Sequence, residues 1–177
     1  MKKLPLLFMA LLAAITFNAC TDGETEERFP VTITLPSFSV DALGNNGWHE
    51  FNNDVVTSGI EAQLNSFGLT LASVKKIEPT SITLTINDPS TGNFNNFDWI
   101  EAYVSATGVD PIKVAYNDTV IPQNTNVLEL ASQYSDIAPA VTKNQFNFMV
   151  RGYNNAPVSA VAQATVTLKA DIIALVK

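Results

Sequence analysis

The stretch AQATVTLKADI, residues 162–172, sets Ala162, Ala164, Val166, Leu168, Ala170 and Ile172 against Gln163, Thr165, Thr167, Lys169 and Asp171. Strict alternation over that length fits one backbone. Successive side chains of a β-strand point to opposite faces, whereas a helix would scatter the same apolar residues around its circumference. A strand with one apolar face must bury that face, so the chain needs a second layer to pack against. The device recurs. VTITL places Val31, Ile33 and Leu35 on one side, and SITLTIND does the same with Ile82, Leu84 and Ile86. IEAYVSA sets Ile100, Ala102, Val104 and Ala106 against Glu101, Tyr103 and Ser105. NQFNFMVRG sets Phe146, Phe148 and Val150 against Asn147, Met149 and Arg151. Gly, Pro and Asn punctuate the intervals, as in Asp88-Pro89-Ser90-Thr91-Gly92 and around Gly108 and Pro111. Threonine on the polar positions suits a pleated surface. The expectation is an all-β, immunoglobulin-like β-sandwich.

One segment departs from the two-residue period. In TSGIEAQLNSFG the residues Ile60, Leu64 and Phe67 share a helical face, Ser58 and Glu61 match an S-x-x-E capping box, and Gly68 stands where a helix ends. This predicts one short helix over about 59–67, closing an open end of the sandwich. The final DIIALVK is expected to lengthen the last strand or to fray.

The beginning of the chain carries different information. MKKLPLLFMALLAAITFNAC joins Lys2-Lys3 to an apolar run from Leu4 to Phe17, the layout of an export signal and too short to span a bilayer. Ala19-Cys20 closes that run and resembles the end of a bacterial lipobox, where the cysteine becomes the lipidated first residue of the mature protein. Cys20 is the single cysteine, so no intramolecular disulfide competes for it. Loss of Lys2 and Lys3 with the leader takes the net charge from -7 to -9. Without a Lys/Arg cluster, such a chain repels phosphate backbones, which argues against nucleic acid as a partner. Asp22, Glu24, Glu26 and Glu27 follow the cysteine directly. TDGETEE resembles the acidic export signal of Bacteroidota surface lipoproteins. That resemblance implies a lipid-anchored protein of the outer membrane, exposed at the cell surface. The expected organisation is a signal peptide over 1–19, the lipidated cysteine and an acidic tether over 20–30, and a sandwich domain over 31–177. The order helix, GLTLASVKKIEPTSITLTINDP, NFDWIEAYVSA, roughly Thr57 to Val114, resembles a recurrent domain of small Bacteroidota lipoproteins. It implies a fold and transfers no catalytic residue.

Enzymatic chemistry finds little to build on. Nucleophilic triads need a histidine oriented by a carboxylate, and the single histidine, His49, stands in NNGWHEF without a Gly-x-Ser-x-Gly elbow. A zinc site needs three or four ligands that one His cannot begin to supply, and no phosphate-binding glycine loop occurs. Asp98 and Glu101 fall on opposite faces of their strand, and Glu50 and Asp54 flank what reads as an irregular loop. Asn52 to Val55, Asn87 to Asp98 and Tyr116 to Asp118 offer oxygens to a hard cation but lack the EF-hand spacing. No enzyme activity, cofactor or metal is expected. Aromatics point instead to binding. Trp48 reads as part of a Gly/Asn loop, and Trp99 and Tyr103 share the strand face opposite Ile100 and Val104. On an outer face these rings could stack on a glycan or pack on a partner surface protein. With a bulge, Trp99 would enter the core and give its indole N–H to a backbone carbonyl. Asp118-Thr119-Val120 resembles a Bacteroidota O-glycosylation acceptor, which makes Thr119 a candidate modification site. The functional expectation is a non-enzymatic surface lipoprotein that binds a glycan or a partner surface protein. The alternative is a structural subunit of a surface or envelope assembly.

Overall fold

A computed structural model describes residues 24–35, 37–40, 46–88, 93–157 and 162–176. Nine strands run through them: β1 Thr25–Thr34, β2 Phe38–Val40, β3 Gly47–Thr57, β4 Val74–Asp88, β5 Phe97–Ala106, β6 Val109–Tyr116, β7 Val127–Ser132, β8 Gln145–Asn154 and β9 Ala162–Val176. Helix α1 (Ile60–Ser66) follows β3, a 3-10 turn (Leu71–Ser73) leads into β4, and the single turn α2 (Ala138–Val141) precedes β8. All the strand pairings are antiparallel, in the order β1-β9-β4-β7-β6-β5-β8-β3, with β2 also on β9.

This path folds over on itself at β7. Val127–Leu130 pair with β4, while Ala131 and Ser132 pair with Tyr116 and Ala115 of β6, so β7 passes from one layer to the other. The result is an all-β sandwich. One sheet is β1, β2, β9 and β4; the other is β6, β5, β8 and β3. The alternation sets the core. Ile82, Leu84, Val166, Leu168 and Ile172 from the first sheet and Ile100, Val104, Phe146, Phe148 and Val150 from the second are all buried in one cluster.

The helix expected over 59–67 forms over Ile60–Ser66, with Ile60 and Leu64 fully buried. Its start differs from the expected capping box. Gly59 takes the N-cap position at φ 58, so Glu61 lies too early to reach back, and the Ser58 hydroxyl instead accepts from the Ile60 N–H at 3.4 Å. Its end is the Schellman arrangement: the Leu69 N–H donates to the Leu64 carbonyl at 2.9 Å and Gly68, at φ 72, donates to Asn65 at 3.0 Å. Gln63 reaches the Thr32 carbonyl on the free edge of β1, and the Phe67 and Phe29 rings meet at 5.2 Å. The helix thus seals the opening beside β1. On the other side, α2 and the segment before it cover β4 where β7 has left it. Asp136 accepts from the Ile77 N–H at 3.0 Å and the Ile137 N–H donates to the Ile77 carbonyl at 2.9 Å. A side chain and one peptide group replace the missing strand, as an otherwise orphaned edge demands.

Strand β1 begins inside the stretch expected to be tether. Thr25 already pairs with Val176, and the register continues to Thr34 and Thr167. Residues 25–30 therefore extend the sheet. Charge holds this exposed ribbon in place of burial: Arg28 bridges Glu78 and Asp171 at 3.1 and 3.3 Å, and Lys75 pairs with Glu26. The final DIIALVK adds strand length as far as Val176. Strand β3 stands where a loop is expected: in the sequence Asn52, Asn53 and Asp54 interrupt the alternation, and a bulge falls between Glu50 and Asn52. The extra residue, Phe51, lies over Gly152, where an added Cβ would come within 2.8 Å of its ring.

Candidate functional site: an aromatic and cationic sheet face

Strands β3, β8, β5 and β6 turn their second face away from the core. Because side chains alternate, the residues skipped by the core form rows across the sheet. Register places Trp48 opposite Tyr153 and Tyr153 opposite Trp99. The next row sets Glu50 opposite Arg151, Arg151 opposite Glu101, and Glu101 opposite Tyr116. Beyond it, Tyr103 pairs with Lys113. Trp48 is 50% exposed, and Trp99 and Tyr153 are each 37% exposed, so their rings are half open to solvent.

Glu101 organises the face. Only 4% of it is accessible, and four side chains converge on its carboxylate. Oε1 accepts from the Trp99 indole N–H at 3.1 Å and from Lys113 at 2.6 Å. Oε2 accepts from the Tyr103 hydroxyl at 2.6 Å and from Arg151 Nε and Nη2 at 2.9 and 2.7 Å. Burial pushes this carboxyl up, but the hydrogen bonds from Lys113, Tyr103, Trp99 and Arg151 outweigh it and hold it at about 2. The same contacts act on the partners. Hydrogen bonding to Glu101 raises Lys113 and Arg151, and burial followed by that bond raises Tyr103.

Once fixed by Glu101, Arg151 is sandwiched between two rings. Its guanidinium carbon lies 4.8 Å from the Trp48 ring centroid and 4.9 Å from that of Tyr103, and Nη2 also donates to the Tyr103 hydroxyl at 2.8 Å. Trp99 stacks on Tyr116 at 5.9 Å with 18° between planes, and Trp48 meets Tyr153 edge-on at 5.9 Å. One broad face of each tryptophan is therefore occupied by a neighbour. What the surface presents is half-exposed aromatic rings and cationic N–H groups, fixed by these contacts. An ionised carboxylate with its oxygens committed to donors is a scaffold for these groups; it holds no proton to transfer near neutrality.

The structure brings Trp48, Trp99 and Tyr103 together through Arg151 and Glu101. Trp48 is the second residue of β3, where a loop was expected, and Glu50 lies within the same strand. A bulge does occur between Phe97 and Trp99, yet Trp99 stays on the outer face and gives its N–H to Glu101 instead of a backbone carbonyl. Phe94 and Phe97 enter the core without it. Thr119 is exposed in the β6–β7 connection, its carbonyl accepting from Asn117 at 3.1 Å. Asn117 also binds Ile100 N–H and the Asp98 carbonyl, so its side chain is spent on the backbone. Cys20 lies outside the described residues. The sequence offers Glu101 only as a carboxylate beside Asp98, and gives no signal for Lys113, Tyr116, Arg151 or Tyr153 as members of a site. Alternation placed Glu101 and Arg151 on polar faces, but their convergence depends on the pairing of strands some 50 residues apart.

No protein-family model matches the chain, and no curated protein matches it. Among solved structures, one from Desmodium yellow mottle tymovirus is similar over 88% of this chain and 90% of its own, at 8% identity and a TM-score of 0.30.

Proposed function

We propose that the protein is a non-enzymatic lipoprotein of the outer cell surface, anchored through Cys20, which binds a partner surface protein through the Trp48–Arg151–Trp99 face. The observation that carries the binding role is the locked set of Trp, Tyr and Arg side chains on an open sheet. These three residue types dominate the energetics of protein interfaces, and rigid anchors lose little entropy when a partner docks. A glycan is the other occupant these rings admit, since Arg151 covers one face of Trp48 and Tyr116 one face of Trp99 and each ring is still half exposed.

The anchor is consistent with where β1 starts. Four residues lie between Cys20 and Thr25, so the two can stand at most about 18 Å apart when that segment is fully extended. The domain would therefore ride close to the bilayer, with Thr25 and Val176 at the near end and the β4–β5, β6–β7 and β8–β9 connections at the far end. Two acyl signals make such attachment durable where one chain is marginal. Protease treatment of intact cells, with mass analysis of wild type and Cys20→Ser, tests location. Removal of the domain by external protease together with acyl mass on Cys20 supports surface display. Unchanged mass and membrane attachment in Cys20→Ser would refute the anchor. Binding on a sugar array that disappears with Trp48→Ala would move the ligand from protein to glycan.

A further inference from the structure

The far end of the sandwich holds a cleft of about 300 Å³ between the turn entering β5, the β6–β7 connection and the start of the β8–β9 connection. Its walls are fastened to one another. Asn95 Nδ2 donates to the Asn124 side chain at 3.2 Å, and the Asn124 N–H returns a bond to Asn95 Oδ1 at 2.6 Å, with Asn124 held at φ 60. The Asn155 N–H donates to the Asn96 carbonyl at 2.9 Å, and its amide donates to Asp98 Oδ1 at 2.5 Å. Asn117 ties the third wall down through the Asp98 and Thr119 carbonyls. Three connections that share no secondary structure are thus fixed in one geometry.

The lining has two chemistries. Asp98, Asn155, Asn95 and Gln123 supply planar carboxylate and amide groups, and Gln123 makes no side-chain hydrogen bond among the described residues. Phe97 and Ile121 form a buried apolar floor, and Val120, 89% exposed, stands at the mouth. Planar carboxylates and amides match the spacing of vicinal hydroxyls, and an apolar floor suits the C–H face of a sugar ring. The single charged side chain in the lining is Asp98, so an anionic ligand would meet repulsion without a compensating cation. A volume near 300 Å³ lies at the small end of ligand sites and suits one ring.

We propose that this cleft binds one pyranose unit of a neutral saccharide, with Asp98 and Asn155 taking a pair of vicinal hydroxyls, Gln123 a third polar group, and Ile121 and Phe97 the ring's C–H face. The assignment stands apart from the protein-binding face and does not rest on it. The test is a titration of the full-length chain in detergent with methyl glycosides of galactose, glucose, mannose and N-acetylglucosamine, followed by side-chain amide and indole NMR signals. At least one glycoside should saturate shifts of the Asn95, Gln123 and Asn155 amides, with a Kd of about 1 mM. Asp98→Asn, nearly isosteric, should weaken it at least about tenfold, and so should Gln123→Ala, with the remaining spectrum unchanged to certify the fold. Absence of saturation with every glycoside, equal binding by both variants, or shifts confined to the Trp48 and Trp99 indoles would each overturn the proposal.

Discussion

Replacing Glu101 by Gln keeps the side chain's shape and deletes its charge. In the wild type the carboxyl is held at about 2 against an ordinary value of 4.5. A difference of that size corresponds to about 3 kcal/mol at neutral pH. Lys113 and Arg151 remain 34% and 41% accessible in their side chains, so solvent screens part of the attraction and lets both cations rehydrate when the partner is lost. The expected loss is therefore about 2 kcal/mol, not the larger cost of stranding a fully buried charge. The pH dependence carries the sharper signature. Because the folded value is depressed, the contribution is fully present above about 4.5 and disappears as pH falls toward 2. Urea unfolding of wild type and Glu101→Gln should show the difference near pH 7 and little of it near the acid end. A variant equal to wild type at pH 7, or a deficit independent of pH, would refute the idea that the carboxylate's charge organises the face.

Four other substitutions address the frame around it. Phe148→Ala, at a fully buried position between the sheets, should cost about 3–5 kcal/mol in denaturant unfolding, whereas Phe67→Ala, 39% exposed, should cost well under half of that. Gly68→Ala forces a Cβ into left-handed backbone at φ 72 and should lose about 1 kcal/mol, read as a lower midpoint with an unchanged slope. Asn117→Ala removes a buried amide that binds Ile100, Asp98 and Thr119. It should cost about 2–3 kcal/mol and speed amide exchange selectively in the β6–β7 connection.

What could be read from the residues follows the physics of alternation. Val31, Ile33, Ile82, Leu84, Phe146, Phe148, Val166 and Leu168 were placed inward and are buried, because a two-residue period on an amphipathic strand admits one solution. The helix was visible for the complementary reason, a break in that period followed by Gly68. Where polar residues interrupt the alternation, as Asn52, Asn53 and Asp54 do in β3, the period carries no strand signal and the stretch reads as loop. The helix start shifted by one because Gly59 adopts left-handed backbone, a choice that a capping pattern does not encode. The tether was cut short by pairing that only the C-terminal half of β9 explains: Thr25 to Arg28 are exposed and acidic in character, yet Val176 to Ile173 offer them a free edge. The aromatic and cationic face is half legible. Trp48, Trp99 and Tyr103 declared themselves as aromatics, whereas Glu101 looked like one of many solvated acids. Its role arises from Lys113 and Arg151, brought beside it by neighbouring strands, and no local pattern announces such a meeting.

The most direct test of the proposed binding face is a photo-reactive residue placed at Tyr153 on one sheet and, as a control, at Lys169 on the outer side of the other. After illumination of intact cells, the account predicts one discrete adduct from position 153, containing one identifiable surface protein, and its loss when Trp48→Ala is added. Position 169 should give none. Equal adducts from both positions, or none from 153, would contradict it.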